Sequence, residues 1–245
     1  MNRVRPNRTA MRLRIETAAL DVLTLRLFDS IEETNMPWLI AAGERLREHF
    51  AEALIDLVPS YTTLMLHYNG LQMSEAEALR RVQAALENLQ PASTETHGQL
   101  HQIPVWYDPS VGPDLPRLAQ LSGLSVAEVI ERHCAREYSV FALGFVPGFA
   151  YMGLVEPELA APRLSTPRQK VPTGSVGIAE RQTAVYPLVS PGGWNLLGRT
   201  ATRLFDPQRD GYSLLAPGDR VRFVAIDRDT FIAAGGDATP MDTDR

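Results

Sequence analysis

Arg163, Arg168 and Lys170 lie close together on a segment pinned by Pro162, Pro167 and Pro172, and the run Gly174-Ser175-Val176-Gly177 follows at once. Cations on a stiffened segment, followed by a glycine turn that can aim successive backbone N–H groups at an anion, suit chemistry in which negative charge develops on an oxygen. The same prolines and glycines could equally shape a barrel crossover whose charges are solvated. The run is not a Walker A loop, because no Lys-Ser or Lys-Thr follows a glycine series. Arg199, between Gly198 and Thr200, carries the planar fork that binds carboxylate or phosphate in bidentate fashion, a geometry that also serves structural ion pairs. Arg163, Arg168, Lys170, Gly174, Ser175 and Arg199 are therefore the candidate substrate- or nucleotide-binding group.

His133 precedes this block and is the candidate general acid or base, since an imidazole titrates near working pH. A histidine closing an apolar helical stripe is also commonly a cap or a satisfied core group. His49, His67, His97 and His101 show no metal-like spacing, so no metal site is expected in this chain. Cys134 is the sole cysteine, which excludes an internal disulfide and a cysteine-based zinc cluster. Its adjacency to His133 does not make a catalytic pair. Phe149, Tyr151 and Trp194, with Gly192-Gly193 before the indole, read either as an interface or pocket surface or as a core corner. No Gly-x-Ser-x-Gly elbow is present, and Ser175 has no evident base. The chain looks catalytically incomplete by itself, as one component of a complex would.

The elements that must position these residues fall into two parts. Pro37–Leu54 and the stretch after Ser74 show helical spacing of apolar residues, and Ser74 with Glu77 has the capping-box pattern. Segments around Arg12–Phe28 and Tyr61–Tyr68 read as strands, and Asn69-Gly70 as a turn. The order strand, helix, strand, helix suggests a small α/β sandwich over residues 1–97. PASTETHG, residues 91–98, has the composition of a linker. Beyond it, Gln102–Tyr107 reads as a strand, and Leu115–Leu121 and Ser125–His133 as short helices, the latter with a second capping box at Ser125 and Glu128. After Tyr138 glycine and proline recur every few residues, which predicts strands joined by fixed turns and hence a β-barrel or sandwich. Arg220–Ile226 alternates like a closing strand. The second domain is expected over 98–236, a disordered tail over 237–245, and a frayed basic N-terminus.

With a formal net charge of −5, the chain has no overall positive field to gather nucleic acid or anionic lipid. No stretch approaches the roughly 20 apolar residues needed to cross a bilayer. No secretory signal is evident, so a cytoplasmic location is expected. Lys170 is the only lysine among 24 basic residues.

Four blocks, GFVPGFAYMGL (144–154), PRLSTPRQKVPTGSVGI (162–178), YPLVSPGGWNLLGRT (186–200) and LLAPGDRVRF (214–223), resemble in order and spacing a family that includes the B subunits of 5-oxoprolinases, allophanate hydrolase subunit 1 and the corresponding part of urea carboxylase. The sporulation kinase inhibitor of spore-forming bacteria is similar too. The resemblance is weak over Leu20–Leu89 and strong over Tyr138–Ile226. It implies an α+β chain, with an N-terminal ferredoxin-like α/β sandwich followed by a cyclophilin-like β-barrel. It further implies the A and C subunits of 5-oxoprolinase as partners, ATP shared with the complex and accompanied by Mg, and conversion of 5-oxo-L-proline to L-glutamate. Non-enzymatic docking on a sensor histidine kinase and carboxyl transfer in a urea carboxylase-type system are the alternatives within the family.

Overall fold

The computed structural model describes residues 11–93 and 98–241, which fall into two compact units divided at His97/Gly98. Each unit has its own sheet. The class is mixed α/β, and the second unit contains a closed barrel.

In the first unit, β1 (Arg14–Ala19) and β2 (Val22–Arg26) form a hairpin followed by α1 (Met36–Phe50). A second hairpin, β3 (Leu54–Pro59) and β4 (Thr63–Tyr68), leads into α2 (Glu75–Leu86). The stretches read as strands each lie in a hairpin, and the two hairpins join in one antiparallel sheet of order β1-β2-β4-β3. Leu23 pairs with Leu66 and Leu25 with Leu64. Because side chains alternate along a strand, this register gathers all four on one buried face. α1 turns Leu39, Ala42, Leu46 and Phe50 inward at helical spacing and packs on β3, β4 and α2. Ser74 Oγ accepts the Glu77 N–H at the start of α2. The Glu77 carboxylate turns instead to Arg80 and Arg81, so this capping box is half formed.

The second unit opens with β5 (Leu100–Trp106), α3 (Leu115–Ser122) and α4 (Val126–Cys134). It continues through β6 (Glu137–Leu143), β7 (Ala150–Gly153), β8 (Arg168–Val171), β9 (Ser175–Ala179) and β10 (Gln182–Val185). It ends with β11 (Ser190–Gly192), β12 (Asn195–Arg199), β13 (Arg220–Ile226) and α5 (Arg228–Ala233). The closed barrel runs β10-β7-β6-β13-β5-β12-β9, and β8 with β11 forms a separate two-stranded ribbon. The alternating β13 lies parallel to β5 along its whole length and antiparallel to β6. It therefore closes the barrel, with Val221 and Phe223 buried. α3 and α4 cover the same core through Leu115, Leu118 and Val129. At α4 both halves of the capping box form: Glu128 N–H donates to Ser125 Oγ at 3.2 Å, and Ser125 N–H donates to the Glu128 carboxylate at 2.8 Å.

Composition assigns 237–245 to a disordered tail, but residues 237–241 lie along the barrel. Met241 N–H donates to Ser110 O at 2.8 Å, and the Asp237 and Thr239 carbonyls accept from Arg199. The buried guanidinium needs acceptors, and this strap supplies two of them, both to Nη1. Residues 1–10, 94–97 and 242–245, which hold the expected frayed start, the centre of the linker and the end of the tail, lie outside the described residues. Among the described residues no helix is long and apolar enough to cross a membrane.

Candidate functional site

A cavity of about 950 Å³ opens in the second unit between α3, the segment entering β8, the end of β12 and the 237–241 strap. Four cationic side chains, Arg117, Arg168, Lys170 and Arg199, face it with two carboxylates, Asp114 and Asp237. The wall therefore has a positive balance although the chain as a whole is acidic.

Asp114 stands at the N-cap of α3 but makes no capping bond. One of its oxygens accepts Arg168 Nη2 at 2.9 Å, and the other accepts the Leu196 N–H at 2.8 Å. Arg117, one turn into α3, donates to Asn195 Oδ1. Asn195 Nδ2 in turn donates to the carbonyls of Pro162 and Ile178, at 3.0 Å each. These bonds hold Arg117 and Arg168 to the scaffold. Lys170 shares a face of β8 with Arg168 through the two-residue strand period, and it is exposed.

Arg199, at the end of β12, is only 2% exposed. Its Nη1 donates to Asp237 O at 2.6 Å and Thr239 O at 3.0 Å, and the Asp237 carboxylate stands 4.0 Å away. Burial pulls the guanidinium pKa down, and Asp237 opposes that shift. Nε and Nη2 are buried with no hydrogen-bond partner among the described residues.

The remaining residues singled out in the sequence lie elsewhere. The Gly174–Gly177 turn is not a free anion nest, because its N–H groups are already used. Gly174 donates to Tyr186 O at 2.7 Å and Ser175 to Pro172 O at 3.2 Å, while Val176 and Gly177 belong to the β9 ladder. Gly174, at φ +82°, needs glycine because an added Cβ would sit 2.1 Å from Thr200 O. Arg163 lies over the Trp194 ring, 5.9 Å from its centroid, rather than on the cavity wall.

The aromatic candidates form a cluster centred on Phe149, which meets Tyr151, Tyr186 and Trp194 edge-on at centroid distances of 4.9, 5.4 and 5.7 Å. Phe149 and Trp194 are buried there and Tyr151 packs against them, so the core corner describes them better than an interface or pocket wall. At Gly192 a Cβ would stand 2.2 Å from the Tyr186 hydroxyl. The same burial pushes the Tyr186 phenol up to about 12. Gly193 O accepts the Leu164 N–H at 2.7 Å, tying the proline segment to this corner.

His133 is fully buried and does not reach the cavity. Its ring stacks on Phe223 at 4.6 Å. Nδ1 lies 2.7 Å from the Tyr107 hydroxyl and Nε2 2.9 Å from Thr183 Oγ1. Thr183 donates its single hydroxyl proton to Gly177 O at 3.2 Å, so it must accept from Nε2–H. Nδ1 then accepts from Tyr107, which itself accepts the Cys134 thiol at 3.5 Å. Every member is satisfied by a neutral imidazole, and burial drops its pKa from 6.5 to about 3. The geometry is that of a core histidine rather than an acid or base open to substrate.

Asp114, Arg117, Asp237 and Thr239 complete the cavity, and sequence reasoning missed all four. Asp114 precedes Leu115-Pro116 and carries an ordinary helix-start signal, which gives no hint of its bond to Arg168. Among the described residues no group of three or more His, Cys, Asp or Glu is placed to hold a metal ion.

Residues 13–215 match the family described as the carboxyltransferase domain, subdomains C and D. The chain is 37% identical over 226 residues to the 5-oxoprolinase B subunit of Bacillus subtilis (strain 168), a match covering 88% of this chain and 94% of that protein. It is 41% identical over 201 residues to the 5-oxoprolinase B subunit of Escherichia coli O157:H7, covering 78% of this chain and 89% of that protein. Among solved structures, TTHA0988 superposes with a TM-score of 0.73 at 39% identity over 84% of this chain, which spans only 40% of that longer protein.

Proposed function

The chain belongs to the carboxyltransferase-domain family that includes the B subunits of 5-oxoprolinases, and from that premise we propose that it is the B subunit of an ATP-dependent 5-oxoprolinase. In this reading it acts with the A and C subunits in the cytoplasm to open 5-oxo-L-proline to L-glutamate. The observation that carries it is 37% and 41% identity to proteins of that name over 88% and 78% of this chain, together with the family match over residues 13–215. The reading also takes the first unit as ferredoxin-like, the barrel as cyclophilin-like and the domain boundary at 97/98, supported at the level of class by a four-stranded sheet with two helices and a closed barrel.

Opening an unactivated lactam requires its carbonyl oxygen to become a leaving group or a stabilised oxyanion. The chain's part is to hold anionic groups of substrate or nucleotide. Arg168, Lys170 and Arg199 face one cavity and are suited to that role, with Arg168 oriented by Asp114. Among the described residues the cavity wall holds no histidine or cysteine, and its two carboxylates, Asp114 and Asp237, face the guanidinium groups of Arg168 and Arg199, which favours a site completed by another chain of the complex. Purified chain mixed with the cognate A and C subunits should give 5-oxo-L-proline-dependent ATP hydrolysis and glutamate. A properly assembled complex without turnover overturns the assignment.

The family description favours one second reading, carboxyl transfer in a urea carboxylase-type system. Urea-dependent transfer from a biotin carrier, in place of lactam-dependent ATP hydrolysis, would select it.

A further inference from the structure

Arg199 poses a physical problem that its scaffold does not solve. A guanidinium has five N–H donors, and burying one without acceptors is costly. Only Nη1 is engaged, by two strap carbonyls, and the nearest carboxylate, on Asp237, is 4.0 Å away and mostly exposed to solvent. Nε and Nη2 form the side-on edge of the fork, whose two parallel N–H vectors match the two oxygens of a carboxylate. Across the β9–β12 ladder from Arg199, Ser175 is buried and its Oγ likewise has no partner among the described residues. Of the two, Arg199 forms part of the wall of the 950 Å³ cavity, and Ser175 lies behind it in the ladder.

We propose that the Nε–Nη2 edge of Arg199 is a receptor for the carboxylate of a small ligand in this cavity, reached when the 237–241 strap shifts. The strap has neither helix nor strand, and its link to the guanidinium is the pair of Nη1 hydrogen bonds. A carboxylate fits better than a polyphosphate, because Arg117 and Arg168 are already bonded to the scaffold. Asp114 offsets the charge of Arg168, so Arg199 and Lys170 supply most of the positive charge that meets the ligand, which suits a compact anion of low charge. Lys170 at the exposed side would steer the anion inward. The identity of the ligand as 5-oxo-L-proline rests on the functional reading above, whereas the receptor itself does not.

Isothermal titration of the full chain with 5-oxo-L-proline, L-glutamate, acetate, the neutral 5-oxo-L-prolinamide and inorganic phosphate tests the receptor. The acid should bind at least about tenfold more tightly than the amide. Arg199→Lys, which keeps charge but loses the fork, should weaken the acid about tenfold and leave the amide unaffected. Asp237→Asn, an exposed substitution that leaves the fold intact, should tighten the acid about two- to fivefold by removing a competing carboxylate. Equal binding of acid and amide, absence of binding by all three carboxylates, or phosphate bound in preference to them overturns the receptor, as does indifference to both substitutions. If L-glutamate or acetate binds through Arg199 while 5-oxo-L-proline does not, the receptor stands and the functional reading fails. If the assembled complex turns over with an unchanged KM in Arg199→Lys, the reading stands and the receptor fails.

Discussion

His133 Nε2 lies 2.9 Å from Thr183 Oγ1, and because the threonine proton goes to Gly177 O, the imidazole is held as the neutral Nε2–H tautomer. A folded-state pKa depressed from 6.5 to about 3 means that the unfolded chain binds the extra proton first. The stabilisation is fully present above about pH 6.5 and is lost as pH falls towards 3, by up to roughly 1.4 kcal/mol for each pH unit. His133→Gln should therefore flatten the pH dependence of urea unfolding between pH 6.5 and 4, while costing about 1–3 kcal/mol at pH 7.5 through broken hydrogen bonds. An unchanged slope would mean that His133 titrates normally. In the assembled complex, a folded His133→Gln protein should retain turnover, whereas a general acid or base would lose it by about a hundredfold or more.

The pair Asp114 and Arg168 makes a second, independent prediction. Both are largely buried, and Asp114 also takes the Leu196 N–H, so removing its charge leaves two donors poorly met. Asp114→Asn should cost about 1–3 kcal/mol in unfolding free energy. A double-mutant cycle with Arg168→Met should return a coupling of about 1 kcal/mol or more. Coupling below about 0.3 kcal/mol would place the pair with ordinary exposed ion pairs.

The adjacent glycines at 192 and 193 should behave differently. A Cβ at Gly192 meets the rigid Tyr186 ring at 2.2 to 2.8 Å, whereas at Gly193 its nearest neighbours are at ordinary contact distances of 3.6 to 3.7 Å. Gly192→Ala should destabilise by about 1–3 kcal/mol and perturb the near-ultraviolet signal of the aromatic cluster. Gly193→Ala should stay within about 1 kcal/mol. Equal tolerance at both positions would show that the ring yields.

These contrasts mark what the sequence could and could not carry. Elements whose signals are local were legible. Ser125 and Glu128 fix the start of α4, and the alternation of Arg220–Ile226 announces a buried-face strand, because capping and strand period depend on neighbours in sequence. Arg168, Lys170 and Arg199 were recognisable as ligand-binding types, and they do meet at one cavity. Their partners were not recognisable, since Asp114 reaches Arg168 across 54 residues and Asp237 reaches Arg199 across 38. The Gly174 turn misled for the same reason: its N–H groups look free until the ladder that consumes them is in place. Trp194 and Phe149 were ambiguous because an aromatic beside glycine is equally at home in a corner of the core or on a pocket wall, and only the packing of Phe149 against both Tyr186 and Trp194 decides.

Lys170 is the cavity cation with the most solvent around it, on the exposed side of β8, so its contribution should be electrostatic and separable from folding. Lys170→Gln should leave unfolding free energy within about 0.5 kcal/mol. In the assembled complex it should raise KM for the anionic substrate about three- to tenfold with little change in kcat, the signature of binding shared by ground and transition states. Lys170→Arg should restore most of the loss, since charge rather than shape is at issue. Because interactions between exposed charges are screened, the gap between wild type and Lys170→Gln should narrow as ionic strength rises from about 0.01 to 0.5 M. A KM that is the same in both proteins at every salt concentration would make Lys170 a solvated surface charge and leave anion binding in the cavity to Arg199.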